Sequence, residues 1–101
     1  MSNTQTNKYL AKVRQIILTK LENYNVQVYL FGSRARGDAQ ITSDVDVAIL
    51  PNEPLPIGLL SDLRESLFES NIPYQVDLVD LSSSDENFKQ RVLKEGIIWN
   101  A

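Results

Sequence analysis

The chain has 101 residues, of which 43% are hydrophobic and 23% charged, and its formal net charge is −3. This length gives room for one domain, residues 1–101, and the composition is that of a folded protein. Because the chain has no Cys and no His, its own residues cannot build a zinc or iron–sulfur site, a thiol nucleophile or a Ser-His-Asp triad. Any bound metal is therefore expected to be a hard cation with oxygen ligands.

Charge is distributed unevenly along the chain. Residues 1–40 carry six Lys and Arg against two acidic residues, whereas residues 41–101 carry four against eleven. This acidic second part argues against duplex nucleic acid as a partner. No apolar run approaches the ~20 residues that span a bilayer, and the start of the chain lacks the features of a signal peptide. We therefore expect a cytoplasmic protein with no membrane partner.

The first part of the chain predicts a helix, a strand and a loop. Apolar side chains at steps of three and four predict an amphipathic helix over residues 8–24. Residues 26–31 are mostly β-branched or aromatic and stop at Gly32, which predicts a strand. Residues 32–43 are rich in Gly, Ser, Arg and Asp and predict a loop with at most one short helical turn.

A second strand and a second helix follow. Residues 44–50 predict the strand, and Pro56 suits the first turn of a helix over residues 57–69. The predicted buried stripe of this helix has four members, Ile57, Leu60, Leu63 and Leu67.

The end of the chain predicts a third strand over residues 74–81 and a last helix. Ser83 and Glu86 form a capping-box pattern that would start this helix, and Gly96 would end it before an apolar tail at residues 97–99. The order of elements predicts an α/β (α+β two-layer) domain, a small sheet with helices packed on one face. The order of the strands within the sheet stays open.

Two acidic side chains of the second strand point in the same direction. Because residues i and i+2 of a strand share a face, Asp44 and Asp46 project together, with Cα atoms roughly 6–7 Å apart. Two such carboxylates repel one another, so this placement does not serve stability. The alternative is a solvent-facing edge strand with ordinary polar alternation.

The third strand holds a further acidic pair, Asp77 and Asp80, whose spacing of three places them on opposite faces. Only one of them can join the acidic pair of the second strand. Val76 and Leu78 suit the face that packs against helices, which sends Asp77 to the carboxylate side. Asp80 then falls at the strand end on the helix-packed face, where a solvated or capping role is expected.

Three carboxylates that converge on one point destabilise a fold unless cations neutralise them. Mg²⁺ is the simplest choice, since it takes oxygen ligands and keeps water or phosphate oxygens as its remaining ligands. In a two-metal site, with ions ~3.5–4 Å apart, one ion activates the attacking hydroxyl and the other steadies the leaving phosphates. We therefore expect Asp44, Asp46 and Asp77 to bind Mg²⁺.

A second feature of the predicted site is the Gly-Ser pair after the first strand. Gly32 allows close approach of backbone to a ligand, and Ser33 offers an N–H and a hydroxyl to a phosphate. Arg34 and Arg36 lie in the same loop and are suited to phosphate oxygens. Taken singly, a Gly-Ser pair is more often a plain turn and a loop Arg is usually solvated.

These residues resemble a known family. Gly32-Ser33, ten further residues and then Asp44-Val45-Asp46 reproduce the spacing that marks the polymerase-beta-like nucleotidyltransferase superfamily. The longer stretch from Phe31 to Ile49 resembles its minimal nucleotidyltransferase (MNT) branch, and the flanking elements follow in the family's order. The resemblance implies the nucleotidyltransferase fold with a small mixed sheet.

The resemblance also implies roles for single residues. The two acids of the second strand would bind both metal ions, and Asp77 would bind one and act as general base. Gly32 and Ser33 would hold the triphosphate of ATP, with Arg36 supporting the loop or the phosphates. Asp80 has no catalytic counterpart in the family pattern.

Many MNT proteins resemble this chain in being short, and they act as antitoxins beside a helical HEPN-domain ribonuclease toxin. The resemblance therefore implies a HEPN toxin as partner, in a complex with this chain, and transfer of AMP from ATP to a tyrosine of that toxin. One alternative is a binding module that only masks its partner's active site, which the apolar tail and the acidic second part would suit. Another is transfer to a small molecule or an RNA end, which usually needs an additional domain.

Overall fold

One mixed sheet organises the computed structural model of the protein, in which residues 4–36 and 44–100 are described. Its strands are β1 at Val26–Phe31, β2 at Val45–Pro51, β3 at Val76–Asp80 and β4 at Ile97–Ile98. Their order across the sheet is β3-β2-β1-β4. Strand β1 runs antiparallel to β2 and β4, whereas β2 and β3 are parallel. The two acidic strands are therefore neighbours.

Helices alternate with these strands. They are α1 at Thr4–Lys20, α2 at Ser33–Arg36, α3 at Leu59–Phe68 and α4 at Glu86–Glu95, with a 3₁₀ turn at Leu81–Ser83. The predicted α+β fold class is thereby confirmed. Within the described ranges, no helix has the length and apolarity that crossing a membrane requires.

The main core lies between one face of the sheet and helices α1 and α3. Every second residue of β2 is fully buried there, because a strand turns alternate side chains to the same face. These residues are Val45, Val47 and Ile49. The buried stripe of α3 consists of three leucines one helical turn apart, Leu59, Leu63 and Leu67.

The start of α3 differs from the prediction. The helix begins at Leu59, after Gly58, whose φ of 89° lies in the left-handed region that glycine adopts readily. Pro56 therefore precedes the helix instead of forming its first turn. Ile57, which was predicted to be buried, is fully exposed for the same reason.

Helix α4 covers the opposite face of the sheet. Tyr29 of β1 and Ala48 of β2 form a second, smaller core with Leu81 and Val92, and Phe88 of α4 packs against it. The prediction of helices on one face thus describes α1 and α3, whereas α4 differs from it. Strand β1 is apolar at almost every position, a pattern that fits a strand covered on both faces.

The cap of α4 also differs from the prediction. Asp85 is its N-cap residue, and an oxygen of the Asp85 carboxylate accepts a hydrogen bond from the Phe88 amide at 3.2 Å. Ser83 belongs to the preceding 3₁₀ turn, so the predicted capping box of Ser83 and Glu86 is wrong. Asp85 satisfies an amide of the first turn that would otherwise lack an acceptor within the helix.

The apolar tail forms one edge of the sheet. Strand β4 pairs with residues 29–30 of β1, and the Trp99 amide then donates to the Val28 carbonyl at 2.7 Å. The side-chain amide of Asn100 continues this pairing. It accepts from the Val28 amide at 3.0 Å and donates to the Val26 carbonyl at 2.8 Å, as a further strand would.

Candidate active site

Two of the predicted site residues are neighbours across the parallel strands. Asp46 of β2 is in register with Asp77 of β3, and the backbones of adjacent strands lie ~4.8 Å apart. Val47, next to Asp46, is buried in the main core, so the two carboxylates leave the sheet on the other face. The predicted placement of Asp77, rather than Asp80, beside Asp46 is thereby confirmed.

The end of β1 brings Gly32 against Asp46. Gly32 has a φ of 76°, which favours glycine. A Cβ atom at this position would collide with the Asp46 carboxylate and lie 3.2 Å from its Cγ. Asp77, Asp46 and Gly32 therefore follow one another across the end of the sheet, and we call them the Asp77–Asp46–Gly32 row.

The Gly-Ser turn leads directly into α2. Ser33 is the first residue of that helix, and the Ala35 amide donates to the Gly32 carbonyl at 3.1 Å, which closes the turn. Arg36 is the last residue of α2, and its side chain lies outside the described residues.

An aromatic stack ties this turn to the strand of the third aspartate. The Arg34 guanidinium lies 4.4 Å from the centre of the Tyr74 ring, a distance typical of a cation–π contact. The Tyr74 ring meets the Tyr9 ring edge to face, with centroids 5.9 Å apart. Tyr74 precedes Asp77 by three residues, so the stack fixes the turn relative to β3. No local sequence pattern indicated this contact.

Asp44 is the most exposed of the three predicted metal ligands. It is exposed and directly precedes β2, and strand alternation places it on the side of Asp46. Among the side chains of residues 8–35 and 44–100, no group of three acidic residues is arranged to hold a metal ion. The donor set of carboxylates, without His or Cys, fits Mg²⁺, but the carboxylates would have to turn toward one another to bind it.

Asp80 has a structural role. One oxygen of its carboxylate accepts hydrogen bonds from the Ser82 amide at 2.9 Å and the Ser82 hydroxyl at 2.6 Å, which caps the 3₁₀ turn. The hydroxyls of Ser83 and Ser84 donate to its carbonyl oxygen at 3.3 and 3.0 Å. The predicted capping role of Asp80 is confirmed.

A cavity opens on each face of the sheet near the row. A cavity of about 600 Å³ lies between the end of α3 and β3, and Asp77 belongs to its lining. A smaller cavity of about 160 Å³ lies between α4 and the end of β1, where Gly32 belongs to the lining. Phe31 and Phe88 form part of its wall, with ring centroids 5.6 Å apart. The large cavity therefore lies on the face of the sheet that packs against α3, and the small one on the face that packs against α4.

The chain is similar to known proteins of one family. Residues 13–99 match the family model described as polymerase beta, nucleotidyltransferase. Over 89 residues, the chain is 36% identical to a Haemophilus influenzae protein named "Probable protein adenylyltransferase MntA". This match covers 88% of the chain and 76% of that protein.

Solved structures share the fold. A crystal structure of a toxin–antitoxin with AMP-PNP matches with a TM-score of 0.67 at 29% identity, over 85% of this chain and 71% of that chain. A structure of the tri-AMPylated Shewanella oneidensis HEPN toxin in complex with MNT antitoxin matches with a TM-score of 0.65 at 26% identity. This second match covers 92% of this chain and 70% of that chain.

Proposed function

This chain belongs to the polymerase beta nucleotidyltransferase family as a minimal nucleotidyltransferase domain, and we propose that it is a Mg²⁺-dependent protein adenylyltransferase and antitoxin. The donor is ATP, and the acceptor is a tyrosine of a cognate HEPN toxin. Support comes from the adenylyltransferase name of the H. influenzae relative and from the AMPylated HEPN toxin found with the S. oneidensis MNT antitoxin. A cytoplasmic location, where ATP is available, belongs to the same proposal.

The order of the three residues in the Asp77–Asp46–Gly32 row is the observation that supports this proposal. Asp46 lies between Asp77 on one side and Gly32 on the other. Backbone N–H groups at a tight glycine turn suit phosphate oxygens, so the triphosphate would lie at Gly32 and Ser33. The α-phosphorus would then lie over Asp46, within reach of an acceptor hydroxyl that Asp77 activates.

The proposed reaction is a displacement at phosphorus. Asp77 accepts the proton of the tyrosine hydroxyl, and the tyrosine oxygen forms a bond to the α-phosphorus of ATP. The bond from the α-phosphorus to the bridging oxygen breaks, and pyrophosphate leaves with the electron pair. Asp44, Asp46 and Asp77 would hold Mg²⁺, which when bound neutralises charge on the phosphate oxygens. Ser33 and Arg36 would hold the departing phosphates.

Mass spectrometry of the partner toxin tests this proposal. The chain is incubated with ATP, Mg²⁺ and the HEPN toxin encoded beside its gene, and AMP adducts on the toxin are measured. Asp46→Asn is expected to lower the rate roughly 100-fold or more, because charge stabilisation at the α-phosphate is lost. Asp62→Asn, which removes the same charge from an exposed position of α3, should leave the rate unchanged. If this chain inhibits the toxin and no AMP is found on the toxin, the proposal is contradicted.

A non-catalytic antitoxin that masks its partner's active site is the second candidate. Ile97 and Ile98 of β4 are 46% and 48% exposed, and exposed apolar side chains at one place favour a contact surface. Under this alternative, Asp44→Asn and Asp77→Asn would still neutralise the toxin in cells. Under the proposed reaction, both variants should fail to neutralise it.

A further inference from the structure

We propose that Arg91 of α4 binds the β- and γ-phosphates of ATP at the small cavity between α4 and the end of β1, which we call the Arg91 cavity. Its lining consists of Phe31, Gly32, Phe88, Arg91, Val92 and Glu95. Its volume is about 160 Å³. Sites for whole ligands typically hold roughly 300–1,000 Å³, so this cavity suits one end of a nucleotide. The inference rests on the proposed function, because it concerns the leaving group of that reaction.

The Arg91 cavity lies on the face of the sheet that carries the Asp46 carboxylate. Phe31 of β1 is directly opposite Asp46 of β2 in the antiparallel register, so the two side chains share a face. The Phe31 ring meets the Phe88 ring of α4 edge to face, with centroids 5.6 Å apart, and both rings line the cavity. The cavity therefore lies beside Asp46, on the side to which its carboxylate points.

Gly32 connects the cavity with the reacting atoms. A Cβ at Gly32 would collide with the Asp46 carboxylate, and the same glycine belongs to the lining of the cavity. In nucleotidyl transfer, the attacking and leaving oxygens lie roughly in line on opposite sides of the phosphorus. With Asp77 at the attacking end of the row, pyrophosphate leaves at the Gly32 end. The β- and γ-phosphates would therefore border the Arg91 cavity.

Arg91 places a positive charge at this end of the row. Four residues of α4 line the cavity at steps of three and four, so they share one face of the helix. Of these four, Arg91 and Glu95 are the charged ones, and both are exposed. A guanidinium binds phosphate oxygens through charge-assisted and often bidentate hydrogen bonds. A carboxylate repels the same oxygens, so Arg91 and Glu95 should have opposite effects on a bound triphosphate.

Nucleotide titrations with three charge-changing variants test this inference. Arg91→Gln and Glu95→Gln remove opposite charges from the cavity, whereas Lys94→Gln removes a positive charge from an exposed position of α4 outside its lining. Because all three residues are exposed, none of the changes should unfold the chain. With Mg²⁺ and without toxin, Arg91→Gln should raise the Kd for AMP-PNP about tenfold or more. Glu95→Gln should lower this Kd about twofold, and Lys94→Gln should leave it unchanged.

Titration with AMP separates the phosphates from the nucleoside. AMP lacks the β- and γ-phosphates, so Arg91→Gln should leave the Kd for AMP unchanged. An equal rise of the Kd for AMP and for AMP-PNP would assign the cavity to the nucleoside and overturn the inference.

The kinetics of AMP transfer to the toxin give a second measurement. Arg91→Gln should lower kcat about tenfold or more, because charge on the departing pyrophosphate is stabilised less. The KM for the toxin should not change. Arg91→Lys keeps the positive charge but loses the guanidinium fork, so it should recover part of the lost rate. An unchanged kcat in Arg91→Gln would contradict the role of Arg91 at the leaving group.

The outcomes separate this inference from the proposed function. If the unsubstituted chain neither binds AMP-PNP nor transfers AMP, the proposed function fails and the role of Arg91 fails with it. If the unsubstituted chain does both and Arg91→Gln keeps its Kd for AMP-PNP, the role of Arg91 is wrong while the function stands. An equal rise of this Kd in Lys94→Gln would also overturn it, since net charge instead of position would then determine binding.

Discussion

Gly32 is constrained both by its own backbone and by its neighbour. Its φ of 76° disfavours other residues, and a Cβ atom would collide with the Asp46 carboxylate. Gly32→Ala should therefore lower the free energy of unfolding by about 1–2 kcal/mol through backbone strain. It should also abolish AMP transfer, because the Asp46 carboxylate has to move. Urea unfolding and the toxin-labelling assay measure the two effects.

Gly58 provides the control for this prediction. Its φ of 89° carries the same backbone strain on substitution, but among the described residues no atom beyond Gly58 and its chain neighbours lies within 4 Å of the position of a Cβ. Gly58→Ala should therefore lose a similar free energy of unfolding and keep AMP transfer. Equal loss of transfer in both variants would assign the defect of Gly32→Ala to general instability instead of to contact with Asp46.

Tyr74 joins the Gly-Ser turn to β3. Tyr74→Leu removes the ring that contacts both Arg34 and Tyr9. The free energy of unfolding should fall by about 1–2 kcal/mol, and the KM for ATP should rise because the turn is held less firmly. Tyr24→Leu, at an exposed position, should change the free energy of unfolding by ~0.5 kcal/mol or less. A normal KM for ATP in Tyr74→Leu would show that the stack does not position the turn.

At the scale of residues, local geometry decided what the sequence could predict. The spacing of Asp77 and Asp80 placed one beside Asp46 and the other in a cap, and the register of β2 and β3 agrees. Strand alternation is a local property, so the sequence alone predicts it. The stack of Arg34 on Tyr74 joins residues forty positions apart, which only the tertiary fold brings together.

At the scale of elements, the Asn100 side chain completes the pairing along the edge of β1 that β4 begins. Asn100 makes two hydrogen bonds with the β1 backbone, at 3.0 and 2.8 Å. Asn100→Ala should lower the free energy of unfolding by about 1–3 kcal/mol, since each such bond contributes about 0.5–1.5 kcal/mol. Thermal or urea unfolding measures this loss.

Asn52 gives the matched control for Asn100. Its side-chain amide donates to the Asn25 side chain at 2.9 Å, at an exposed site. Asn52→Ala should therefore cost ~0.5 kcal/mol or less. If the two substitutions cost the same, the Asn100 amide does not close the edge of β1.

The elements themselves followed from hydrophobic periodicity, but their ends and faces did not. Gly58 and Asp85 set the starts of α3 and α4 through backbone angle and capping, which outweighed the apolar pattern. The apolar stripe of α4 does not indicate which face of the sheet this helix covers. The nearly continuous apolar run of β1 did carry that information, since such runs are typical of strands buried on both faces. The order of the strands depends on contacts between distant segments, so the sequence alone does not predict it.

For the whole molecule, function and stability oppose one another in the acidic strands. Asp46 and Asp77 stand side by side, so their charges repel when no cation is bound. In EDTA, Asp77→Asn should raise the free energy of unfolding by about 0.2–1 kcal/mol. Mg²⁺ at 100 times its Kd should stabilise the unsubstituted chain by about 2.7 kcal/mol, and Asp77→Asn should lose most of this gain. Thermal unfolding with and without Mg²⁺ measures both.

Asp80→Ala should change the free energy of unfolding in the opposite direction, although it also removes one carboxylate from β3. The Asp80 carboxylate caps the 3₁₀ turn, so losing this cap should lower the free energy of unfolding by about 0.5–2 kcal/mol with or without Mg²⁺. If Asp77→Asn and Asp80→Ala change the free energy of unfolding in EDTA in the same direction and by the same amount, Asp46 and Asp77 do not repel one another.

The two edges of the sheet differ in how much unpaired backbone they expose. On the β4 side, a strand of two residues and the Asn100 amide leave little backbone for another chain to pair with. On the β3 side, none of the strands in residues 4–36 and 44–100 pairs with the outer edge. Two copies could join edge to edge through β3, but the pair would then have no long edge left and could not grow into a filament. When this chain is made in excess of its partner, we therefore expect the surplus to stop at pairs instead of polymerising.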